Sequence, residues 1–562
     1  MNNTEYIIMG FQLSAGVDVK ETDLSTTIPG SATSLGAMVG VFGKGPAYDR
    51  TIITTENELV KVFGKPTDYN ASSFFTAANF LQYGNNLTIV RVLATDARNA
   101  SSGAVHPQPI SNVDDYENLK SSIPEGFYAK SVGIDGNNIS VSYANAAEFI
   151  GWAHEDLFDS APNAATTQEV NLVVLYDSVP VETYTVSLLS NGKDSEGNNI
   201  FIDDVLMNRS GYVYSIVGDG DIITYSDPDA DSTDTLADFT LAGGTDGLGR
   251  PTTASWMLGW DEFSDPEQVD VNLLLAGAAA SEDVGLASDV QRYVVQSVAE
   301  ARKDCVAFVS PPKTIVVGRT ASDAVSDLQN WRTGQGSYTS NNFNVNSSYG
   351  MLDGNFKYMY DKYNDKYRWV PLAGDIAGLC VVTDNQRDPW WSPGGLTRGR
   401  IKGVVKLAFT ANKGHRDQLY KSPYGINPIV SMPGKGTVLW GDKTTLTKPS
   451  AFDRINVRRL FIVLEKSIAA ASQYTLFEFN DEYTRNLFKG MVEPFMNDVK
   501  GRRGVYDFKV ICDESNNTGE VIDRNEFVAD IFIKPTKSIN YISLNFVATK
   551  SGVEFSELFG QV

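Results

Sequence analysis

INVRRLFIVLEKSIAAAS (455–472), QYTLFEFND (473–481), EYTRNLFKGMVEPFMNDVK (482–500) and VYDFKVICDES (505–515) follow one another near the end of this 562-residue chain. In the first, Val457, Leu460, Phe461, Leu464 and Ile468 recur at helical spacing, which predicts a helix with one core-facing stripe. The second reads as a strand and the fourth as another. The third predicts a helix with a stripe of Tyr483, Leu487, Met491 and Phe495, kinked or split at Pro494. Helix, strand, helix and strand make a compact α/β unit. Two more extended segments, EFVADIFIK (526–534) and NYISLNFVAT (540–549), follow and read as a hairpin. In the second of these, Ile542, Leu544 and Phe546 share one face. Chain tips usually fray, and a two-stranded ribbon is marginal alone with edges that invite pairing. Strands placed here need a partner, and the expected one is another copy of the chain.

Working towards the N-terminus, residues 1–25 read as an arm in which Val17 and Val19 alternate with Asp18, Lys20 and Glu21. Residues 26–95 open an α/β layer. GAMVGVFGKGPA (36–47) is a strand running into a turn, ENELVKVFG (56–64) and ASSFFTAANFLQYG (71–84) are helices ending at glycine, and NLTIVRVLA (86–94) is a strand. From 96 to 250 short alternating strands dominate, such as NISVSYAN (138–145) and VNLVVLYDS (170–178), with helical character only around 147–158. This predicts an inserted all-β domain. Between 251 and 450 the α/β pattern resumes. VDVNLLLAG (269–277), a helix over 288–302 with the stripe Val290, Val294, Val298 and Ala301, and CVAFVSPP (305–312) call for a right-handed parallel crossover. A helix over 321–331, a hairpin turning at Asn364–Asp365, a helix over 371–384, a strand over 400–409 and a strand pair joined at Pro433–Gly434 complete this region. Residues 451–515 then form the α/β unit above, and 516–562 the terminal hairpin and arm. The fold class is α/β (α+β), multidomain.

A formal charge of −22 argues against a general nucleic-acid binder. No apolar run is long enough to span a bilayer, so membrane insertion is not expected, and the N-terminus lacks the form of a secretory signal. Cys305, Cys380 and Cys512 are isolated in apolar contexts and read as buried reduced thiols, which fits assembly in a reducing cytoplasm.

Signals for catalysis are sparse. His106, His154 and His415 fall outside any metal-ligand or triad pattern. PGKGT (433–437) lacks the spacing of a phosphate loop. Asp227, Asp229 and Asp231 alternate as in a calcium loop, yet Ser232 stands where that loop needs glycine, so a solvated acidic loop is the better reading. The aromatic cluster of Tyr358, Tyr360, Tyr363, Tyr367, Trp369, Trp390 and Trp391 reads as a packed hairpin and its loop. No cofactor and no enzymatic activity are expected. Arg454, Arg458, Arg459 and Lys466 lie mostly off the stripe of the first helix, Arg485, Lys489 and Lys500 beside that of the second, and Arg502 and Arg503 follow. This local reversal of charge either faces an acidic partner or is an ordinary solvated face.

Several stretches carry a family resemblance: GVDVKETD (16–23), FGKGPA (42–47), ELVKVFGKPT (58–67), FLQYGNNLTIVRV (80–92), LAGGTDG (241–247), PLAGDIAGLCVVTDNQRDPWWSPGG (371–395), KGTVLWGDKTTL (435–446), NVRRLFIVLEKSI (456–468) and FEFND (477–481). In this order they resemble the sheath proteins of contractile bacteriophage tails, those of T-even-like myophages most closely. The resemblance covers about two-thirds of the chain and leaves 96–250 largely unmatched. It implies a helical homopolymer of stacked hexameric rings around a tail tube, ending at baseplate and tail terminator proteins. It also implies a mixed-sheet core domain drawn from N- and C-terminal segments, with the 96–250 insertion outside. Terminal arms would exchange strands between subunits, through Val17, Val19 and Glu21 at one end and Ile542, Leu544, Phe546, Val553 and Phe555 at the other. The cations at 454–503 would face the tube. Contraction would use energy stored in the extended lattice to drive the tube through the host envelope, and the protein would reside in the virion after assembly in the host cytoplasm. Two alternatives are the sheath of a related injection system or tailocin, and a virion protein that binds or acts on carbohydrate through 96–250.

Overall fold

The structure, a computed structural model, describes residues 32–103, 109–163, 168–217, 237–246, 250–540 and 542–544. The chain is a mixed α/β protein with several sheets, and it divides into two compact units, one spanning 32–465 with the segment from 535 onward, the other 466–534.

The first unit is built on a six-stranded sheet ordered Gly350–Leu352, Val306–Val309, Leu273–Leu275, Gly36–Gly40, Leu87–Arg91, Thr51–Ile53. All pairs are parallel except the last, which is the antiparallel edge. GAMVG is buried along its whole length because a parallel strand is covered on both faces. Alternation along the strand shows what covers each face. A Cβ on Gly36 or Gly40 would meet Phe80 at 2.7 Å or Ser73 at 2.9 Å, both on the Ala71–Leu81 helix. Val39 points the other way, 2.8 Å from the Cβ position of Gly259 on the Thr253–Asp261 helix.

The expected helix over 371–384 forms at Ala373–Gln386 and crosses the Ala71–Leu81 helix at backbone contact. A Cβ at Gly374 would lie 2.2 Å from the Thr76 carbonyl oxygen, so glycine is needed for the approach itself. The crossover region also forms, with a difference. The helix expected over 288–302 begins at Val284, and Val294–Ala299 is a π-helical turn. Its extra residue per turn rotates the C-terminal end, so Ala299 is buried in place of the expected Ala301, which is exposed. The helix expected to end at Gly84 instead stops at Leu81, capped by Gln82 in helical conformation. Gly64, by contrast, caps the Glu56–Phe63 helix at φ 81. The expected strand over 400–409 shrinks to Lys406–Leu407, which pairs with Lys357 and Tyr358 of the 356–371 hairpin, while Arg400 makes an isolated bridge to Val438.

The stretch expected to be all-β carries two helices, Val113–Leu119 and Ile202–Arg209. Their N-termini explain them: Asn112 caps the first by accepting from the Asp115 amide, and the second opens with Asp203 and Asp204 in its first turn. A four-stranded antiparallel sheet (Ala237–Thr240, Ile139–Asn145, Glu169–Tyr176, Val179–Ser187) and a three-stranded one (Asn99–Ser101, Gly126–Val132, Val213–Ile216) share a core that includes Phe127, Val141, Leu172, Leu206 and Phe239. Arg91 ties this region to the parallel sheet. Its guanidinium donates to the carbonyl oxygens of Phe42 (3.0 Å), Gly45 (2.8 Å) and Val132 (2.7 Å), and burial draws its pKa down to about 10.

In the second unit the Glu482–Gly501 helix is continuous through Pro494. The carbonyl that proline leaves without a donor belongs to Gly490, on an exposed face open to water. The buried stripe is Phe488, Val492, Met496 and Val499, one residue on from the expected one, and Tyr483 is 71% exposed. QYTLFEFND forms no strand. It holds a short 3-10 turn at Gln473–Thr475 and then irregular backbone, and its alternating apolar residues pair with no strand among the described residues. Val505–Ile511 pairs with Asp530–Pro535 in a two-stranded sheet. Residues 536–540 and 542–544 carry no strand, and most of the second arm of the hairpin expected between 526–534 and 540–549, residues 541 and 545–549, lies outside the described residues.

Candidate interaction surfaces

The cations of the 455–472 helix illustrate how far charge patterning alone misleads. Arg458 is 7% exposed and wedged between two rings, its guanidinium 4.2 Å from the Tyr349 centroid and 4.1 Å from that of Phe452. It donates to Ser348 Oγ (3.0 Å) and to the Tyr349 hydroxyl (3.2 Å), and burial lowers its pKa. Arg459 is 4% exposed and pairs with Asp384 at 2.5 Å. Burial works against its cation, but the Asp384 charge and hydrogen bond, together with Cys380, outweigh it and raise its pKa. Both side chains expected off the core stripe are thus in the core, because each has a buried partner waiting: an aromatic clamp for one, a carboxylate for the other.

Arg454, immediately before the helix, lies 3.8 Å from Asp442. Asp442 is a hub: it also accepts from the Tyr420 hydroxyl (2.9 Å), Ser538 Oγ (2.7 Å) and Asn540 Nδ2 (3.2 Å). Asn540 reaches the Tyr420 hydroxyl as well, at 3.0 Å. The segment that leads to the C-terminal tip is therefore moored on one buried carboxylate.

Arg485 is buried and donates to Asn480 Oδ1 at 2.9 Å. The remaining cations are locally matched: Lys489 with Glu493 (3.8 Å), Lys500 with Asp507 (2.9 Å) and Arg502 with Asp498 (2.6 Å). Lys466 is half-buried and Arg503 exposed. Of the arm residues, Ile542 and Leu544 are 79% and 72% exposed. Val17, Val19, Glu21, Phe546, Val553 and Phe555 lie outside the described residues, as do Asp227, Asp229, Asp231 and His106.

Among the described residues no His, Cys, Asp and Glu group has the arrangement of a metal site, and no helix is long and apolar enough to cross a membrane. The three cysteines are buried and unbridged, and burial pushes Cys380 up to about 12. PGKGT is the turn between Ile429–Met432 and Gly436–Leu439, with Gly434 at φ 73. Tyr358 packs on Tyr367 (5.5 Å) and Trp369 (4.7 Å) within the hairpin, as expected.

Sequence reasoning missed the exposed basic surface. Residues 389–416 carry Arg398, Arg400, Lys402, Lys406, Lys413 and Arg416 without one carboxylate, in a chain of charge −22. That acid-free run was the signal. Arg398, Arg400 and Lys402 line a cleft of about 610 Å³ together with Leu379, Val382 and Ile401.

A parallel sheet covered by helices, with a β-rich region joined to it through Arg91, is the frame on which these surfaces sit, and known proteins show its class. Residues 249–445 match the phage tail sheath protein central domain, 447–549 the phage tail sheath C-terminal domain, and 34–92 the tail sheath protein Gp18 domain III N-terminal region. Residues 93–248 fall outside these matches. The class is that of phage tail sheath subunits, structural components of the virion.

The tail sheath protein of Vibrio phage KVP40 is 37% identical over 98% of this chain and 100% of its own length. That of Enterobacteria phage T4 is 36% identical over 98% and 99%. The chain belongs to the tail sheath protein family of contractile phage tails. In fold it is similar to a sheath tail protein from Listeria innocua (TM-score 0.52, 11% identity, 91% of this chain and 97% of that one). It is also similar to the contracted helical sheath of the anti-feeding prophage (TM-score 0.50, 13% identity, 96% and 100%).

Proposed function

We propose that this chain polymerises as stacked hexameric rings around a tail tube and shortens to drive the tube through the host envelope. The near-full-length identity with phage tail sheath proteins carries this reading, and it favours a phage tail over another injection device. Self-assembly would be stitched by strand exchange. Among the described residues the Val505–Ile511 and Asp530–Pro535 sheet has two strands, and open edges of that kind accept a third. The arms at residues 1–25 and 545–562 supply the chain length to reach a neighbour. Each added backbone hydrogen bond contributes about 0.5–1.5 kcal/mol net, and many such bonds per subunit in a closed lattice hold neighbours together while they rotate. Energy for contraction would come from the extended lattice itself, as small contacts are exchanged for larger ones, with no nucleotide.

In this reading the 96–250 region projects outward, while the 451–515 region faces the tube. Lys500, Arg502 and Arg503 are exposed cations of that region and Lys489 is half-buried, whereas Arg458, Arg459 and Arg485 are buried and engaged internally. Baseplate and tail terminator proteins would close the two ends, and assembly would take place in the host cytoplasm. Electron microscopy of the purified chain tests the reading: hollow helical cylinders support it, and a chain that stays monomeric at high concentration refutes it.

A further inference from the structure

Two surfaces of this chain are chemical complements. The first is the tip between the 455–472 and Glu482–Gly501 helices. Tyr474, Leu476, Phe477 and Phe479 are all well exposed there, within six residues. Phe477 sits at φ 70, a left-handed backbone that a bulky residue rarely adopts, and its ring is completely exposed. A strained backbone that holds a phenyl ring out into water marks a contact residue more than a folding one. Glu478 and Glu482 follow Phe477 in sequence, both are exposed, and their carboxylates have no partner among the described residues.

The second surface is the cleft described above. Its lining mixes apolar side chains, Leu379, Val382, Ile401, Val404 and Val405, with the cations Arg398, Arg400 and Lys402. Lys402 Nζ donates to the Gln82 carbonyl (2.7 Å) and Arg398 Nε to that of Ser392 (2.9 Å), whereas the exposed Arg400 has no partner among the described residues. Val405, on the cleft wall, is 59% exposed. The volume falls within the roughly 300–1,000 Å³ typical of clefts that enclose a guest. An apolar tip with unpaired acids fits a cleft of apolar side chains with an unpaired arginine.

We infer that the Phe477 tip of one copy docks in the Arg400 cleft of a second copy, Phe477 against Leu379, Val382 and Ile401, and Glu478 and Glu482 against the cations. The two patches differ, so the contact is heterologous and repeats from subunit to subunit, which builds an open helix instead of a closed dimer. The inference rests on the self-assembly proposed above and assigns one contact within it. Charge across it sets register and partner choice more than bulk affinity.

The test is charge exchange in the full-length chain, with polymerisation followed by sedimentation and electron microscopy. Arg400→Glu with Lys402→Glu, and separately Glu478→Lys with Glu482→Lys, are each expected to raise the concentration needed for polymerisation by about tenfold or more. All four changes together are expected to restore it, and a merely structural effect would not be rescued. All four positions are exposed, so unchanged urea midpoints verify folding. If the wild type polymerises and either pair leaves polymerisation untouched, or the fourfold variant shows no rescue, the contact is overturned and self-assembly stands. If the tip pair blocks only attachment to a tube, the occupant is the tube and the inference is again overturned. A wild type that never polymerises removes the self-assembly reading and this contact with it.

Discussion

Asp384 holds the Arg459 guanidinium at 2.5 Å inside the protein, both side chains less than a tenth exposed. A pair of this kind is asymmetric in its consequences. Removing one partner strands a buried charge, whereas replacing both by apolar groups restores packing. Asp384→Ala is expected to lower stability by about 3–5 kcal/mol in urea unfolding, and Asp384→Leu with Arg459→Met to recover most of it. A small loss from Asp384→Ala would show that Arg459 finds water instead.

Two glycines in helices should respond oppositely to a methyl group. At Gly374 a Cβ meets the Thr76 carbonyl at 2.2 Å, so Gly374→Ala is expected to cost about 1–3 kcal/mol as two helices are forced apart. Gly490 has open space around it, and Gly490→Ala should gain about 0.5–1 kcal/mol from helix propensity alone. Thermal unfolding of the two variants checks both signs.

Asp353 supplies a pH dependence. Its carboxyl is wholly buried, meets Ser310 Oγ at 2.5 Å, and burial raises its pKa to about 7 against opposing hydrogen bonds. Between about pH 4 and pH 7 the folded chain therefore holds a proton that the unfolded chain has lost. That stabilisation is complete below pH 4 and disappears as pH rises through 7. Asp353→Asn cannot lose the proton, so the stability of the wild type relative to this variant should fall across that window, by a few kcal/mol at most. Parallel urea titrations at pH 4, 5.5 and 7.5 would reveal a flat difference if the assignment is wrong.

The mooring of the C-terminal segment on Asp442 is testable by proteolysis. Asp442→Ala removes the acceptor for Ser538 and Asn540, and hydrogen bonds to a charged group are worth about 1.5–3 kcal/mol each. Trypsin is expected to cut after Lys537 about tenfold faster or more, with Ser538→Ala giving a smaller increase. Equal rates in all three proteins would mean that something else holds the segment.

Much of the central sheet could be read from sequence because its signals are local. GAMVG and NLTIVRV are β-branched or apolar runs of strand length, Gly64 marks the end of the Glu56–Phe63 helix, and Asn364–Asp365 marks the turn of the 356–371 hairpin. What could not be read depended on partners distant in sequence. Arg459 looks like a surface cation until Asp384, 75 residues away, is brought beside it. The π-helical turn at Val294–Ala299 shifts burial from Ala301 to Ala299, which no fixed period anticipates. QYTLFEFND alternates like a strand yet pairs with no strand among the described residues, and the stripe of the Glu482–Gly501 helix moved by one residue, with Phe488 packed on Phe527. The acid-free run at 389–416 was visible in the sequence and is the better guide to an exposed basic surface than the cations at 454–459.

The account depends on the chain ends joining neighbouring subunits. Electron microscopy of the full-length chain beside a version lacking residues 1–25 and 545–562, with urea unfolding to verify that both are folded, measures this directly. The expected result is long hollow cylinders from the first and dispersed, folded subunits from the second. Cylinders of equal length and number from the trimmed version would contradict it.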